Sequence, residues 1–110
     1  MIDLEQFNVR LGNNTAVIQQ VMKMFLDQYA EDPSFLRGPF ESGDTDALFN
    51  AAHSIKGALA NMCADEDAAA AAAVESVARE GKLPDEALLT ALEARLADVF
   101  AQIRAELGSA

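Results

Sequence analysis

The stretch Leu48-Phe49-Asn50-Ala51-Ala52-His53-Ser54-Ile55-Lys56-Gly57-Ala58-Leu59-Ala60-Asn61-Met62 decides how this chain folds. Leu48, Ala51 or Ala52, Ile55, Leu59 and Met62 recur three or four residues apart, the spacing that lays an apolar stripe along one side of an α-helix. Phe49, Asn50, His53, Lys56, Gly57, Ala60 and Asn61 fall largely on the opposite side, so the only histidine of the chain is expected to face solvent. The turn Glu41-Ser42-Gly43-Asp44 precedes this helix, and Asp44 or Thr45 caps it, which places it at about residues 44–62.

The same periodicity continues on both sides. Upstream, Asp3 with Gln6 three residues on forms a capping-box pattern, Phe7 and Leu11 follow, and Gly12 stops a short first helix. From Thr15, the residues Ile18, Val21, Met22, Phe25 and Tyr29 describe a second, longer helix. Pro33 either kinks that helix, which then runs to about Phe40, or opens a fresh one with Asp32 as cap; the kinked form is the expectation. Downstream, Asp65, Glu66 and Asp67 crowd a first turn, Arg79 sits in a last turn and Gly81 follows, all in accord with a helix dipole. The alanines from Ala68 to Ala73 read as a close-packed seam. Pro84 opens a last helix carrying Leu89, Leu92, Leu96, Val99 or Phe100, Ile103 and Leu107. No strand and no internal repeat is expected. The fold class is all-α: an antiparallel up-and-down four-helix bundle with a short additional N-terminal helix, one domain over residues 1–110.

Composition narrows the function. A chain of 110 residues, 51% hydrophobic with much of that alanine, 6% aromatic and without tryptophan, suits one domain of packed helices. Its net charge of −10 repels a phosphate backbone or an anionic bilayer, so neither nucleic acid nor membrane is an expected partner. No run approaches the roughly 18 consecutive apolar residues of a membrane span, and Met1 leads straight into Asp3-Leu4-Glu5, so the chain is expected to be cytoplasmic. Cys63 is the single cysteine and His53 the single histidine, which excludes an internal disulfide and a structural zinc site. Cys63 reads as a small buried apolar residue. There is no glycine-rich phosphate loop for ATP, and Asp65 to Asp67 are explained by the helix start and not by a metal cage.

Against this background Gly57 asks for a reason. Glycine within a helix costs about 1 kcal/mol relative to alanine, and this sequence has alanine to spare. One turn after His53, it removes the side chain that would hinder another macromolecule from approaching the ring. Lys56, three residues after His53, can neutralise an anion held on the imidazole. The three read together as a nucleophilic histidine, attacking through Nε2, that receives a phosphoryl group and yields it to a docked partner. Each has an ordinary reading too: a lone histidine on an alanine-rich helix is commonly silent, and Lys56 alone is a solvated charge. Phe49, one turn before His53, either buries its ring between helices or joins an apolar docking patch with Asn50, Ala60 and Asn61.

With these residues in view, the chain resembles the histidine-containing phosphotransfer (HPt) domains of two-component relays over nearly its full length. Ala52-His53-Ser54-Ile55-Lys56-Gly57-Ala58 carries the likeness. Asn61-Met62-Cys63-Ala64 stands where the family usually has Asn, an apolar residue, Gly and Ala, and Glu75 with Ala78-Arg79-Glu80-Gly81 resembles the glutamate and basic turn that close the next helix. Phe25-Leu26 and Gly43-Asp44 match the second helix and the turn before the histidine helix. Cys63 in place of glycine, and the alanine run in place of larger apolar residues, are the departures. The resemblance implies that His53 accepts phosphate from a receiver-domain aspartate and passes it to another, without autonomous kinase activity. It further implies Mg²⁺ on the receiver only and no cofactor here. The implied partners are response-regulator receiver domains and a hybrid sensor histidine kinase, with this chain a monomer. Two alternatives stand beside it: the phosphoacceptor domain of a chemotaxis-type kinase, and a helical adaptor that binds receiver or kinase domains without carrying phosphate.

Overall fold

A computed structural model describes residues 1–108, and the regular structure among them is helical throughout. In chain order the helices are α1 (Leu4–Arg10), α2 (Thr15–Gln28), α3 (Arg37–Ser42), α4 (Thr45–Asn61), α5 (Asp65–Arg79) and α6 (Glu86–Gly108). Three starts carry side-chain caps. Asp3 accepts from Gln6 N at 3.1 Å, Asn14 from Val17 N at 3.2 Å, and Asp44 from Ala47 N at 3.0 Å, which settles the cap of α4 on Asp44.

The long kinked helix expected around Pro33 is not formed. α2 ends at Gln28, and Ala30 and Glu31 both take left-handed backbone angles (φ 52° and 53°), which breaks the helical ladder before the proline is reached. Asp32 and Pro33 lie in a turn, where Asp32 accepts from the backbone N and hydroxyl of Ser34 at 2.9 and 2.6 Å; it caps this turn and no helix. What holds the departure is an aromatic cluster. Tyr29 packs between Phe25 and Phe35 at centroid distances of 5.2 and 4.9 Å, while Arg104 of α6 pairs with Glu31 at 2.9 Å. The chain then re-enters a helix at Arg37, a short segment that the periodicity does not reveal. The last helix likewise starts at Glu86, just beyond the expected Pro84.

α4 packs along α5, α5 against α6, α6 against α2, and α3 against α4. Leu48, Ala52, Ile55 and Leu59 form the buried stripe of α4 read from the sequence; Ala68, Ala71, Val74 and Ala78 face it from α5. The small alanines allow these two helices to approach closely, which is the seam anticipated for the alanine run. Leu89, Leu92, Leu96, Val99, Phe100 and Ile103 complete the core from α6, and Ile2 and Phe7 join the same core from the N-terminal segment. Asp67 lies in the first turn of α5, as the helix-start reading expects. It is buried, where it pairs with Arg95 at 3.2 Å and with the amino group of Met1.

The reversal between α4 and α5 uses Cys63 as its left-handed residue (φ 60°). Ala64 N donates to Leu59 O at 2.9 Å and Cys63 N to Ala60 O at 3.1 Å, the paired bonds of a Schellman motif. The turn geometry that glycine normally supplies is thus kept, and Cys63 is buried as expected. Because the chain folds back so tightly, a residue 22 positions beyond His53 arrives opposite it.

Replacing Asp44 by Ala is expected to cost about 1 kcal/mol of unfolding free energy, since one amide at the start of α4 loses its acceptor. Urea denaturation followed by circular dichroism measures it.

Candidate functional site

His53 projects from the middle of α4 with 60% of its side chain exposed. The sequence-predicted solvent face is confirmed, but the ring is not free. Its Nδ1 lies 2.8 Å from Oε2 of Glu75 on α5, a carboxylate whose side chain is only 4% exposed. Lys56 Nζ stands 3.0 Å from each oxygen of the same carboxylate, and the Arg79 guanidinium donates to Oε1 at 2.8 Å. One buried acid therefore gathers three donors from two helices.

Burial alone would push the Glu75 carboxyl upward. The hydrogen bonds from Lys56 and His53, with the charges they bring, outweigh that penalty and hold it below the ordinary glutamate value. An ionised carboxylate has no proton to donate, so the hydrogen between Glu75 and His53 resides on Nδ1. It follows that in the neutral ring Nε2 carries the lone pair, on the side away from the buried acid.

Phe49 resolves its two readings in an intermediate way. The half-buried ring stacks on His53 with centroids 5.8 Å apart and planes at 17°, and the Arg79 guanidinium lies over it at 5.4 Å. It supports the imidazole as much as it offers surface. Gly57, Asn50, Ala60 and Asn61 are exposed on the same side of α4, and the carbonyls of Ala60 and Asn61 accept from Arg10 of α1 at 3.2 and 3.4 Å. A methyl placed on Gly57 would meet nothing within 4 Å. Among the described residues nothing packs against this glycine.

Residues 20–106 match the family model of the Hpt domain. The chain belongs to the Hpt-domain family. Nothing among curated proteins or solved structures matches it. Hpt domains perform histidine phosphotransfer in phosphorelays and interact with response-regulator receiver domains and histidine kinases.

In this Hpt protein His53, Lys56 and Gly57 lie on one helix, α4, and the sequence reading gives Glu75 and Arg79 no part in the site beside them. A signal was present. Glu75 is the acid that falls on the apolar stripe Ala71, Val74, Ala78, and a carboxylate on a buried face needs a counter-charge. Arg79, four residues on, is the cation best placed to provide one from the same helix. Among the described residues no group of three or more His, Cys, Asp or Glu is arranged to hold a metal ion, and no helix is long and apolar enough to cross a membrane.

The depressed Glu75 value fixes a pH dependence. A carboxyl lower in the folded than in the unfolded chain contributes stability that is complete above its unfolded value and disappears as pH falls through the folded one. Urea midpoints of the native protein and of Glu75→Gln, compared from neutral pH down to about pH 3, should converge toward the acid end, because the variant lacks this contribution.

Proposed function

We propose that His53 is the phosphoacceptor, and that this chain relays a phosphoryl group between aspartates of two receiver domains. The supporting observation is the bond from His53 Nδ1 to the ionised, buried Glu75, which in the neutral ring leaves the lone pair on Nε2, on the side away from the acid. In the forward step the Nε2 lone pair attacks the phosphorus of an aspartyl phosphate in line. The N–P bond forms as the P–O bond to the aspartate breaks, and that carboxylate leaves with the electron pair. No proton has to move. The positive charge that develops on the ring is balanced at Nδ1 by Glu75, and the phosphoryl oxygens are met by Lys56, one helical turn away. Transfer to the second receiver is the same step reversed.

On this reading Phe49, Asn50, Gly57, Ala60 and Asn61 form the surface on which a receiver settles. The receiver supplies its own Mg²⁺, and no cofactor is bound here. α2, α4, α5 and α6 then make up an up-and-down four-helix bundle extended by α1, one domain over residues 1–110, acting as a cytoplasmic monomer. A hybrid sensor histidine kinase is the expected upstream partner. The shared core of the N-terminal segment and the four long helices supports the single domain.

Incubation with phosphorylated receiver domains should transfer label to the native chain in a form lost in acid and kept in base, and His53→Gln should take none. A His53→Gln protein that still labels contradicts the assignment, whereas one that binds receivers and retains its effect without labelling supports the adaptor alternative. Label acquired only from a kinase domain with ATP supports the chemotaxis-type alternative. Gly57→Ala carries a two-sided expectation. The helix gains about 1 kcal/mol of stability, while transfer from a receiver slows several-fold as the methyl enters the approach path. Thermal melts and single-turnover transfer read the two effects separately.

A further inference from the structure

Glu75 is served by two cations, and they are not equivalent. Lys56 reaches it with a flexible four-carbon stem ending in a point charge of freely rotating donors. Arg79 is fixed at three places. It sits four residues from Glu75 on the same helix, donates to Oε1 at 2.8 Å, and rests its guanidinium on the Phe49 ring, which itself stacks on His53. A guanidinium also stays charged at every relevant pH.

The difference matters once a phosphoryl group stands on Nε2. That dianion competes with Glu75 for the mobile ammonium of Lys56. A carboxylate with 4% of its side chain exposed cannot lose all its counter-charge without either taking up a proton or turning away from the ring. Either change would release Nδ1 and with it the charge balance of the phosphorylated imidazole. We propose that Arg79 is a positioning residue that holds Glu75 against His53 Nδ1 while Lys56 is drawn to the phosphoryl group. Lys56 thus moves between two anions, and Arg79 is the cation that stays. This inference rests on His53 being the phosphoacceptor, but its first consequence is visible without phosphate.

The Lys56→Ala protein mimics the state in which Lys56 has left. ¹⁵N spectra of its His53 ring at about pH 9, where an ordinary imidazole is neutral, should still show a hydrogen on Nδ1 and none on Nε2. Adding Arg79→Gln should place hydrogen on Nε2 in a substantial fraction of molecules, as the other tautomer, and Arg79→Lys in the same background should restore the Lys56→Ala spectrum. A Lys56→Ala/Arg79→Gln ring indistinguishable from that of Lys56→Ala would overturn the proposal, provided both retain native circular dichroism. So would an Arg79→Lys substitution that restores nothing, which would assign the effect to ring stacking and not to charge. In transfer assays Arg79→Gln alone should slow delivery from labelled His53 to a receiver about tenfold, within the range typical of groups that orient a reacting ligand, with the dependence on receiver concentration unchanged. An unaltered rate would again overturn the proposal. Should the native chain accept no label from any donor, the phosphoacceptor reading fails, and the ring spectra alone decide the role of Arg79.

Discussion

Everything at the exposed face of this Hpt domain depends on one hydrogen bond across the α4–α5 seam, from Nδ1 of His53 to the buried carboxylate of Glu75 at 2.8 Å. It gives a surface imidazole a fixed orientation and, in its neutral form, a fixed tautomer. The constraint behind it is packing. Ala68, Ala71 and Ala78 on α5 let that helix lie close to Ala52, Ile55 and Leu59 of α4, and Glu75, on the same buried face, meets the histidine. A low-complexity alanine run is therefore part of the machinery through its smallness.

The energetic position of Glu75 explains why its neighbours are what they are. Burying a carboxylate is unfavourable unless charge and hydrogen bonds compensate. Lys56 and Arg79 both donate to it, and the hydrogen bonds and charges of Lys56 and His53 outweigh burial and hold the acid below the ordinary glutamate value. The same two cations give local positive character to a chain whose formal charge is −10. That local inversion suits the proposed role, in which this surface meets a phosphoryl group.

Much of this was legible in the residues. The apolar stripe of α4, a cap at Asp44 or Thr45, the outward His53 and the unexplained Gly57 all follow from three-four periodicity and helix energetics. Cys63 shows how a departure from the expected glycine can be tolerated: the backbone adopts the left-handed angle regardless, and the Schellman bonds close around it. The expectation at Pro33 went the other way. Proline is the visible breaker in that segment, yet α2 is ended earlier by left-handed Ala30 and Glu31, secured through Tyr29 packing and the Glu31–Arg104 pair. The Glu31–Arg104 pair joins distant parts of the chain, and no local pattern announces it. Glu75 lies between the two cases. Its place on a buried face was readable, but its partner depended on the angle at which α5 returns along α4.

The identity of the phosphorylated ring nitrogen tests the central claim most directly. ³¹P–¹⁵N coupling in protein labelled with ¹⁵N-histidine and phosphorylated by a receiver domain distinguishes the two positions on the single His53 ring. With Glu75 occupying Nδ1, phosphorus is expected on Nε2 alone. A phosphoryl group on Nδ1 would mean that the carboxylate does not hold that nitrogen, and the account of the site given by the Glu75 bond would be wrong.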